Sequence, residues 1–374
     1  MEWAGRVGRQ WLTDSSIDPD AFDSLYLGMT VPQHHSFYGA PWLATMLGSP
    51  QLAGPTFAQA CATSARTIAE AAMSVECSLN RTVLCVTADR VSNGPHLYYP
   101  NPLGPGGRGT TEEWTWDNFS CDPSLGIAMI ETAENVARAN GVTREEQDAV
   151  TLERYEQYEM ALVDGRAFQR RYMLDVEVPD PAGKRATGVV AGDEGVRATS
   201  AEDLAGLRPV LEGGTVTYGS QTHPADANCG LIVTSRERAR ELARDPQIEV
   251  RIRGFGQARE RAGHMGEAPV PAAAAALGHA GLELGDLAAI KTHNPFVVND
   301  IYFARQTGLE TAAVNRYGSS LVYGHPHAPT GMRLVIELVE ELTIRGGGHG
   351  LFTGCAAGDT AAALVVSVFD AGEA

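Results

Sequence analysis

The chain has 374 residues, of which 44% are hydrophobic and 20% charged, and its formal net charge is −17. These values are typical of a globular protein with a substantial core. The acidic balance argues against nucleic acid as a general partner, because phosphate binding needs a basic surface. We find no apolar stretch of membrane-spanning length and no N-terminal signal core, so we expect a cytoplasmic protein without a membrane partner.

Strand-like and helical segments alternate along the chain. Continuous apolar runs predict buried strands at 81–88, 288–293 and 362–369. Apolar residues at helical spacing predict helices at 132–142, 143–165 and 332–346. Thr143 and Glu146 have the spacing of a capping box at the start of the second helix. This alternation predicts a layered α/β architecture.

The middle of the chain has a different composition. Residues 93–118 are rich in Gly, Pro and aromatic residues and predict a long loop, and residues 176–230 are turn-rich and charged. Long loops of this kind are usually functional or disordered. We interpret 93–235 as an insertion, after which the core resumes near residue 236.

Cysteine usage bounds the chemistry. The six cysteines lack the regular spacing of a disulfide framework. No Cys-x-x-Cys pair is present, so we expect neither a structural zinc site nor another bound metal. Cys61 is followed by a small-residue amphipathic segment, and a helix N-terminus there would stabilise its thiolate. Taken alone, a buried structural cysteine is the commoner meaning of such a position.

Three further segments carry polar groups of chemical interest. His325 lies between Gly324 and Pro326 in a predicted turn, where it could accept a proton from a thiol. Cys355 lies in a Gly/Ala loop before a buried strand, where a second thiol could act as acid and base. Each of these two residues also has an ordinary alternative, as a turn histidine or a packed cysteine.

His293 and Asn294 end a predicted strand and are followed by Pro295. Polar side chains at the carboxyl end of a strand in an α/β sheet often face a ligand crevice. As paired donors they could hold a water molecule or bind an oxyanion. A strand end that faces solvent is the alternative.

Together and in this order, the four segments resemble the thiolase family. That family has a nucleophilic cysteine, an Asn/His-Glu-x-Phe motif, Gly-His-Pro and a C-terminal Cys-x-Gly. The counterparts here are Cys61, His293-Asn294-Pro295-Phe296, Gly324-His325-Pro326 and Cys355. Further segments resemble the family at 88–95, 130–148, 192–222 and 264–277. The resemblance covers nearly the whole chain.

The resemblance implies a five-layered αβαβα core built from two similar halves, with a loop domain inserted in the first. The expected divisions are residues 1–92 for the first half, 93–235 for the inserted domain and the return, and 236–374 for the second half. The family's usual first strand, with its Arg-Thr-Pro motif, has no counterpart. We therefore expect a truncated start or an unusual N-terminus.

The resemblance also implies an acyltransferase (EC 2.3.1) that cleaves a 3-oxoacyl-CoA or runs the reverse Claisen condensation. Coenzyme A would be a co-substrate, with no permanently bound cofactor. Cys61 would attack the acyl carbonyl, His325 would accept its proton, and Cys355 would transfer the α-proton. His293, with a water held by Asn294 or nearby groups, and His325 would stabilise the enolate oxygen. The residues expected to contact coenzyme A are Met265, Thr222, Ser220 and Phe296.

Departures from the family pattern imply a specialised branch. Asn294 replaces the motif's Glu, Ala357 replaces the Gly of Cys-x-Gly, and the stretch between Asn93 and Glu134 is short. We expect bulky or aromatic acyl groups, as in the benzoylsuccinyl-CoA type, and a homodimer, with a small zinc-ribbon/OB-fold subunit as a possible partner. Two alternatives remain, a ketosynthase-like condensing enzyme and a non-catalytic acyl-CoA-binding subunit. The second cysteine argues against the first of them.

Overall fold

A computed structural model describes residues 1–179 and 186–370. The strands in these ranges are β1 (Ser24–Gly28), β2 (Thr56–Phe57), β3 (Thr82–Arg90), β4 (His96–Tyr99), β5 (Thr110–Glu113), β6 (Val176–Pro179), β7 (Ala186–Val190), β8 (Asp226–Thr234), β9 (Ile248–Arg259), β10 (Leu287–His293), β11 (Gly348–Ala356) and β12 (Thr360–Asp370).

The α-helices of the same ranges are α1 (Glu2–Asp14), α2 (Ala40–Leu47), α3 (Thr63–Glu76), α4 (Trp116–Ser120), α5 (Met129–Asn140), α6 (Arg144–Arg166), α7 (Ala201–Gly206), α8 (Arg236–Leu242), α9 (Pro269–Ala280), α10 (Val297–Thr307), α11 (Ser320–Tyr323) and α12 (Ala328–Ile344). Among the described residues, no helix combines the length and the apolar character that crossing a bilayer requires.

Two four-stranded sheets form the frame of the molecule. Their strand orders are β2-β1-β3-β8 and β10-β11-β12-β9. In the first sheet β1 runs parallel to β2 and β3, and β8 runs antiparallel to β3. In the second, β10 is parallel to β11, while β12 is antiparallel to both of its neighbours. Parallel pairs need crossover connections, which supply the helices that cover the sheets.

The helices complete five layers. Helices α3 and α12 pack against each other and contact both sheets, α1 and α2 lie on the first sheet, and α9 covers the outer face of the second. This arrangement confirms the predicted αβαβα core. The two central helices approach closely because the contact uses small residues. A Cβ atom on Gly331 of α12 would lie 3.1 Å from the Cβ of Ser64 on α3 and 3.0 Å from the ring of Phe352.

The predicted core elements are confirmed, with shifted ends. The runs at 81–88, 288–293 and 362–369 form β3, β10 and β12. Helix α12 begins at Ala328, earlier than predicted, because Pro329 occupies the first turn, where a missing N–H costs no hydrogen bond. Thr143 caps α6 by accepting from the N–H of Glu146 at 3.2 Å. The capping box is not completed, because the Glu146 carboxylate pairs with Arg305 at 2.7 Å.

The insertion is more structured than predicted. The expected long loop at 93–118 contains a hairpin of β4 and β5 and leads into α4. Its Gly and Pro residues lie largely in the turns, and Tyr98 and Tyr99 in the strand, so composition alone hid the hairpin. The chain returns to the first sheet through β8, which begins at Asp226 and lies within the range 93–235 expected for the inserted domain and the return. Residues 180–185 of the predicted insertion, and 371–374 of the predicted second half, lie outside the described residues.

A buried ion pair joins α6, in the predicted insertion, to α10, in the predicted second half. The side chains of Arg154 on α6 and Asp300 on α10 are 0% and 1% exposed, and Nε lies 2.8 Å from Oδ2. The Arg154 guanidinium also donates to Gln157 Oε1 at 2.9 Å and to the carbonyl of Thr311 at 3.0 Å. Removal of one member of such a pair leaves an uncompensated charge in the interior.

We therefore expect Arg154→Met to lower the free energy of unfolding by about 3–5 kcal/mol. Denaturant titration followed by circular dichroism measures this loss. As a control, Arg238→Met removes the exposed ion pair with Glu241 on α8, and its cost should stay below about 1 kcal/mol. Equal costs for the two variants would contradict the importance of the buried pair.

Candidate active site

Cys61 lies in a tight turn that leads into α3. The turn is closed by hydrogen bonds from the N–H of Ala62 to the carbonyl of Gln59 (3.0 Å) and from the N–H of Thr63 to that of Ala60 (3.1 Å). Ala60 adopts a φ of +44°, a conformation that costs a non-glycine residue about 1–3 kcal/mol. Such strain is common where a turn must present a functional side chain.

His325 comes from the turn between α11 and α12. Gly324, at a φ of +92°, cannot be replaced without strain, because a Cβ there would lie 2.7 Å from that of Ala225. The N–H of His325 donates to the carbonyl of His223 at 2.9 Å, which fixes the turn. Its Nε2 lies 3.0 Å from Cys61 Sγ, and its Nδ1 lies 2.6 Å from the hydroxyl of Thr330. The two predicted residues therefore meet, 264 positions apart in sequence.

Burial sets the protonation of this pair. It raises the pKa of the Cys61 thiol to about 12, against the opposing effect of the N–H groups of Ala357 and Cys61 itself. Burial also lowers the pKa of His325 well below its usual range, and the neighbouring His293 and His327 lower it further. Both shifts favour a neutral thiol beside a neutral imidazole.

Alkylation of Cys61 by chloroacetamide should therefore accelerate about tenfold per pH unit from about pH 6 to pH 9, because the reactive thiolate fraction grows by that factor below the pKa. Peptide mass spectrometry of quenched samples follows the rate. The exposed Cys77, at the other end of α3, is the internal control for access of the reagent to a surface thiol. A Cys61 rate that is already maximal at neutral pH would indicate a thiolate–imidazolium pair instead.

The second predicted thiol belongs to the same region. Cys355 lies within β11, next to its last residue, and not in the predicted loop, because it pairs with Ala361 of β12. It is fully buried and accepts a hydrogen bond from Asn299 Nδ2 at 3.2 Å. Burial raises the pKa of Cys355, and the proximity of Cys61 raises it further. Sequence reasoning missed Asn299. Its signal was a pair of polar residues, Asn299 and Asp300, in the first turn of α10, directly after the His293–Phe296 motif.

The third group is His293, at the end of β10. Its ring centroid lies 4.1 Å from that of His325, and its Nδ1 lies 2.8 Å from the hydroxyl of Ser320. Its Nε2 is buried and has no hydrogen-bond partner among the residues that the structure describes. Burial lowers the pKa of His293 to about 3, so the ring is neutral. One donor atom each of Cys61, His293 and His325 lies within 4.8 Å of the other two.

The Asn294 side chain has a different orientation from the one that its expected role, holding a water beside His293, would require. Its Nδ2 donates to Asp300 Oδ2 at 2.6 Å, and its Oδ1 accepts from the N–H of Leu321 at 3.2 Å. The hydroxyl of Ser320 lies 3.3 Å from the same oxygen. Its hydrogen bonds therefore connect the amide to α10 and α11, where it supports the partner of His293.

A second buried network, which the sequence did not reveal, lies at the start of α12. The Asp89 carboxylate accepts from three backbone N–H groups and from the hydroxyl of Thr30. Because that hydroxyl donates to a carboxylate, its oxygen accepts from Nδ1–H of His327 at 3.2 Å. Burial raises the pKa of Asp89 to about 6. The network fixes the backbone immediately after His325.

The four residues expected to contact coenzyme A lie around the first residues of α10 and the segment that immediately precedes this helix. Thr222 donates its N–H to the carbonyl of Pro295 at 2.7 Å, and the N–H of Val297 donates to the carbonyl of Ser220 at 2.9 Å. Ser220, Phe296 and Met265 are buried, whereas Thr222 is half-buried. They lie beside the His293 motif, and the Ser220 hydroxyl is occupied by the N–H of Thr217 at 2.9 Å.

The fold is that of an α/β protein, with two mixed sheets around paired central helices. The contact between a cysteine and a histidine, with a second thiol nearby, gives it a site suited to thiol chemistry. Two family models match the chain. The one described as "Thiolase, N-terminal domain" matches residues 2–237, and "Thiolase, C-terminal domain" matches residues 246–368. The chain belongs to the thiolase family.

Individual relatives agree with this assignment. A 3-ketoacyl-CoA thiolase of Aliivibrio fischeri is 33% identical over 267 residues, which are 66% of this chain and 58% of the relative. One of Bacillus subtilis is 32% identical over 251 residues, covering 65% of this chain and 63% of the relative. The match thus spans less than two thirds of the length of these curated relatives.

Solved structures match over almost the whole chain. An acetyl-CoA acetyltransferase of Bacillus anthracis superposes with a TM-score of 0.88 and 27% identity, covering 98% of this chain and 92% of that one. Human mitochondrial 3-ketoacyl-CoA thiolase in complex with CoA gives a TM-score of 0.88 and 25% identity, with coverage of 98% and 90%.

Proposed function

We propose that this chain is a thiolase that cleaves a 3-oxoacyl-CoA with coenzyme A, or runs the reverse Claisen condensation, through an acyl-enzyme on Cys61. The observation that carries the proposal is the 3.0 Å contact between Cys61 Sγ and His325 Nε2. A nucleophile and its base at hydrogen-bond distance, with the base oriented by a third group, are the signature of covalent catalysis. Thr330 supplies that third group.

In cleavage, Cys61 Sγ attacks the 3-oxo carbonyl, and its proton passes to His325 Nε2. The N–H groups of Cys61 and Ala357, both directed at the sulfur, stabilise the developing oxyanion, an effect of about 3–4 kcal/mol per donor in other enzymes. The bond between C2 and C3 then breaks, and its electron pair forms the enolate of the departing acetyl-CoA.

The second thiol completes the cycle. Cys355 protonates C2 of the enolate, while the imidazoles of His293 and His325 stabilise its oxygen. Coenzyme A then gives its thiol proton to the Cys355 thiolate and attacks the acyl thioester, and Cys61 leaves as a thiolate that regains its proton from His325. Once Cys355 has protonated the enolate, the hydrogen bond from Asn299 favours the Cys355 thiolate, because it stabilises negative charge on that sulfur.

The proposed substrates carry bulky or aromatic acyl groups. The insertion brings aromatic side chains to the site, since the ring of Phe119 on α4 lies 5.2 Å from His327, whose ring lies 4.9 Å from His325. Trp114 Nε1 donates to the carbonyl of Thr30 at 3.0 Å, which holds the insertion beside this wall. Edge-to-face aromatic contacts would favour an aromatic acyl group there.

A panel of 3-oxoacyl-CoAs, from acetoacetyl-CoA to aromatic members, tests the activity and the substrate class together. Loss of the substrate thioester on addition of coenzyme A reads turnover, and intact mass reads acylation of Cys61. We expect kcat/KM for aromatic members to exceed that for acetoacetyl-CoA at least about tenfold, the value of roughly one well-filled apolar contact. Absence of both turnover and adduct across the panel would favour the acyl-CoA-binding alternative.

The same proposal includes a cytoplasmic homodimer, with a small zinc-ribbon/OB-fold subunit as a possible partner. The six unpaired cysteines are compatible with a reducing compartment. Phe37 and Tyr38 are 94% and 68% exposed, as expected for apolar residues of an association surface. Size-exclusion chromatography with light scattering tests the state, and a stable homotetramer would contradict it.

A further inference from the structure

The three donor atoms of the proposed catalytic centre also form a cluster with the chemistry of a metal site. Cys61 offers a sulfur, and His293 and His325 offer imidazole nitrogens, all within 4.8 Å of one another. His293 is 2% exposed, and within residues 1–179 and 186–370 its Nε2 has no hydrogen-bond partner. A buried polar atom without a partner costs about 1–3 kcal/mol, so this nitrogen is poised to take a ligand.

Each of the two histidines has a hydroxyl at its Nδ1, the ring nitrogen opposite the Nε2 that faces the cluster. Thr330 Oγ1 lies 2.6 Å from His325 Nδ1, and Ser320 Oγ lies 2.8 Å from His293 Nδ1. Metal-binding histidines are almost always fixed in this way, because a partner on one nitrogen sets the tautomer and directs the other. The pair therefore has its outer supports in place before any ion arrives.

The hydrogen-bond chain behind His293 allows the tautomer that binds metal. Asp300 can only accept, so Asn294 presents Nδ2 to it and leaves Oδ1 facing the Ser320 hydroxyl at 3.3 Å. When Ser320 donates to that oxygen, its own oxygen accepts from Nδ1–H of His293. Nε2 of His293 then carries a free lone pair directed into the cluster.

We propose that Cys61, His293 and His325 bind Zn²⁺ from solution and that this binding reversibly inhibits the enzyme. One thiolate and two imidazoles are ligands that Zn²⁺ prefers, and a water would occupy the fourth position. Bond lengths of about 2.0–2.3 Å place tetrahedral ligands about 3.5 Å apart. The present separations, from 3.0 Å up to 4.8 Å, require only small side-chain movements to reach this geometry.

The balance of the step is simple. The Cys61 thiol releases its proton to solvent as the Zn–S bond forms, and both imidazoles bind as neutral ligands, so no oxidant or reductant is involved. The buried Asp89 carboxylate, close enough to raise the pKa of Cys61, supplies negative charge near the cation. The ion then occupies the sulfur that would attack the substrate and the nitrogen that would accept its proton. The inhibition rests on the proposed function, whereas the binding does not.

Calorimetric titration of the reduced, chelator-treated full chain with Zn²⁺ tests the binding, and Co²⁺ serves as a spectroscopic probe. We expect one ion per chain, with a thiolate-to-cobalt charge-transfer band. Cys61→Ala should lose that band, and His293→Gln should weaken Zn²⁺ binding more than about tenfold. Ser320→Ala, which keeps all three proposed ligands but removes the hydroxyl that contacts His293 and Asn294, should weaken it about 10–100-fold. Circular dichroism checks that each variant is folded.

The matched control is Cys77→Ser, which changes the exposed cysteine at the far end of α3 and should retain the stoichiometry and the band. A band that survives in Cys61→Ala, or disappears in Cys77→Ser, would overturn the proposed site. Zn²⁺ binding without thiolysis of any 3-oxoacyl-CoA would refute the proposed function and leave the metal site standing. Thiolysis that is indifferent to Zn²⁺, in a chain that binds none, would refute the metal site alone.

Discussion

Cys61→Ala should lower kcat for thiolysis by at least about 10⁴-fold, because the acyl-enzyme cannot form without its nucleophile and residues that act as a unit fail together. The neighbouring thiol offers no substitute, since Cys355 is fully buried and its pKa is raised well above the usual value. The change removes one sulfur from a half-buried position, so the fold should persist. Thiolysis rates and intact mass after mixing with substrate measure the loss of turnover and of the adduct.

Cys77→Ser is the matched control for this variant. Both cysteines flank α3, but Cys77 is exposed and has no part in the histidine contact. Its rate should stay within about twofold of the parent, as expected of a surface change away from the site. A covalent acyl adduct on Cys61→Ala, or an adduct on Cys77 in the parent chain, would show that the nucleophile has been misassigned.

The sequence predicted the parts of this site that are encoded locally. Cys61, His293, His325 and Cys355 each lie in a short segment with its own turn or strand signal, and their order along the chain carried the family resemblance. The core strands β3, β10 and β12 were also predictable, because each is a continuous apolar run in the sequence. The sequence also indicated that the glycine before His325 gives the turn its backbone freedom. In the structure this turn allows no Cβ at that position.

Other parts depend on contacts between segments that are distant in sequence. Thr330, Ser320 and Asn299 form hydrogen bonds with His325, His293 and Cys355, and local periodicity cannot predict these pairings. The orientation of Asn294 likewise depends on Asp300, whose charge is balanced by Arg154 from the insertion. A carboxylate that accepts from four donors, such as Asp89, has no signature in a strand sequence.

The insertion illustrates a different limit. Its Gly and Pro content indicated a loop, yet Tyr98 pairs with Thr111 in a regular antiparallel ladder. In a short hairpin, cross-strand pairs rather than propensity stabilise the strands, so composition is a weak guide. This limit bears on the proposed substrate class, because the hairpin leads to α4 and so to Phe119 beside His327.

Cys355→Ala should separate the two halves of the proposed reaction. We expect kcat to fall about 10²–10⁴-fold, the usual contribution of a general acid–base group. Acylation of Cys61 should stay within about tenfold of the parent, because the contact between Cys61 and His325 does not involve Cys355. Rapid-quench mass spectrometry reads acylation, and exchange of the C2 proton of acetyl-CoA in heavy water, which should disappear, reads the proton transfer.

Asn299→Leu makes this test specific. It keeps the Cys355 sulfur but removes the 3.2 Å hydrogen bond that stabilises its thiolate, so proton exchange should slow more than acylation, and by less than in Cys355→Ala. Full turnover in Cys355→Ala would eliminate the second thiol from the mechanism. The functional groups of the site would then be one cysteine and two histidines, which is the composition of the ketosynthase alternative. Decarboxylative condensation would become the reaction to assay.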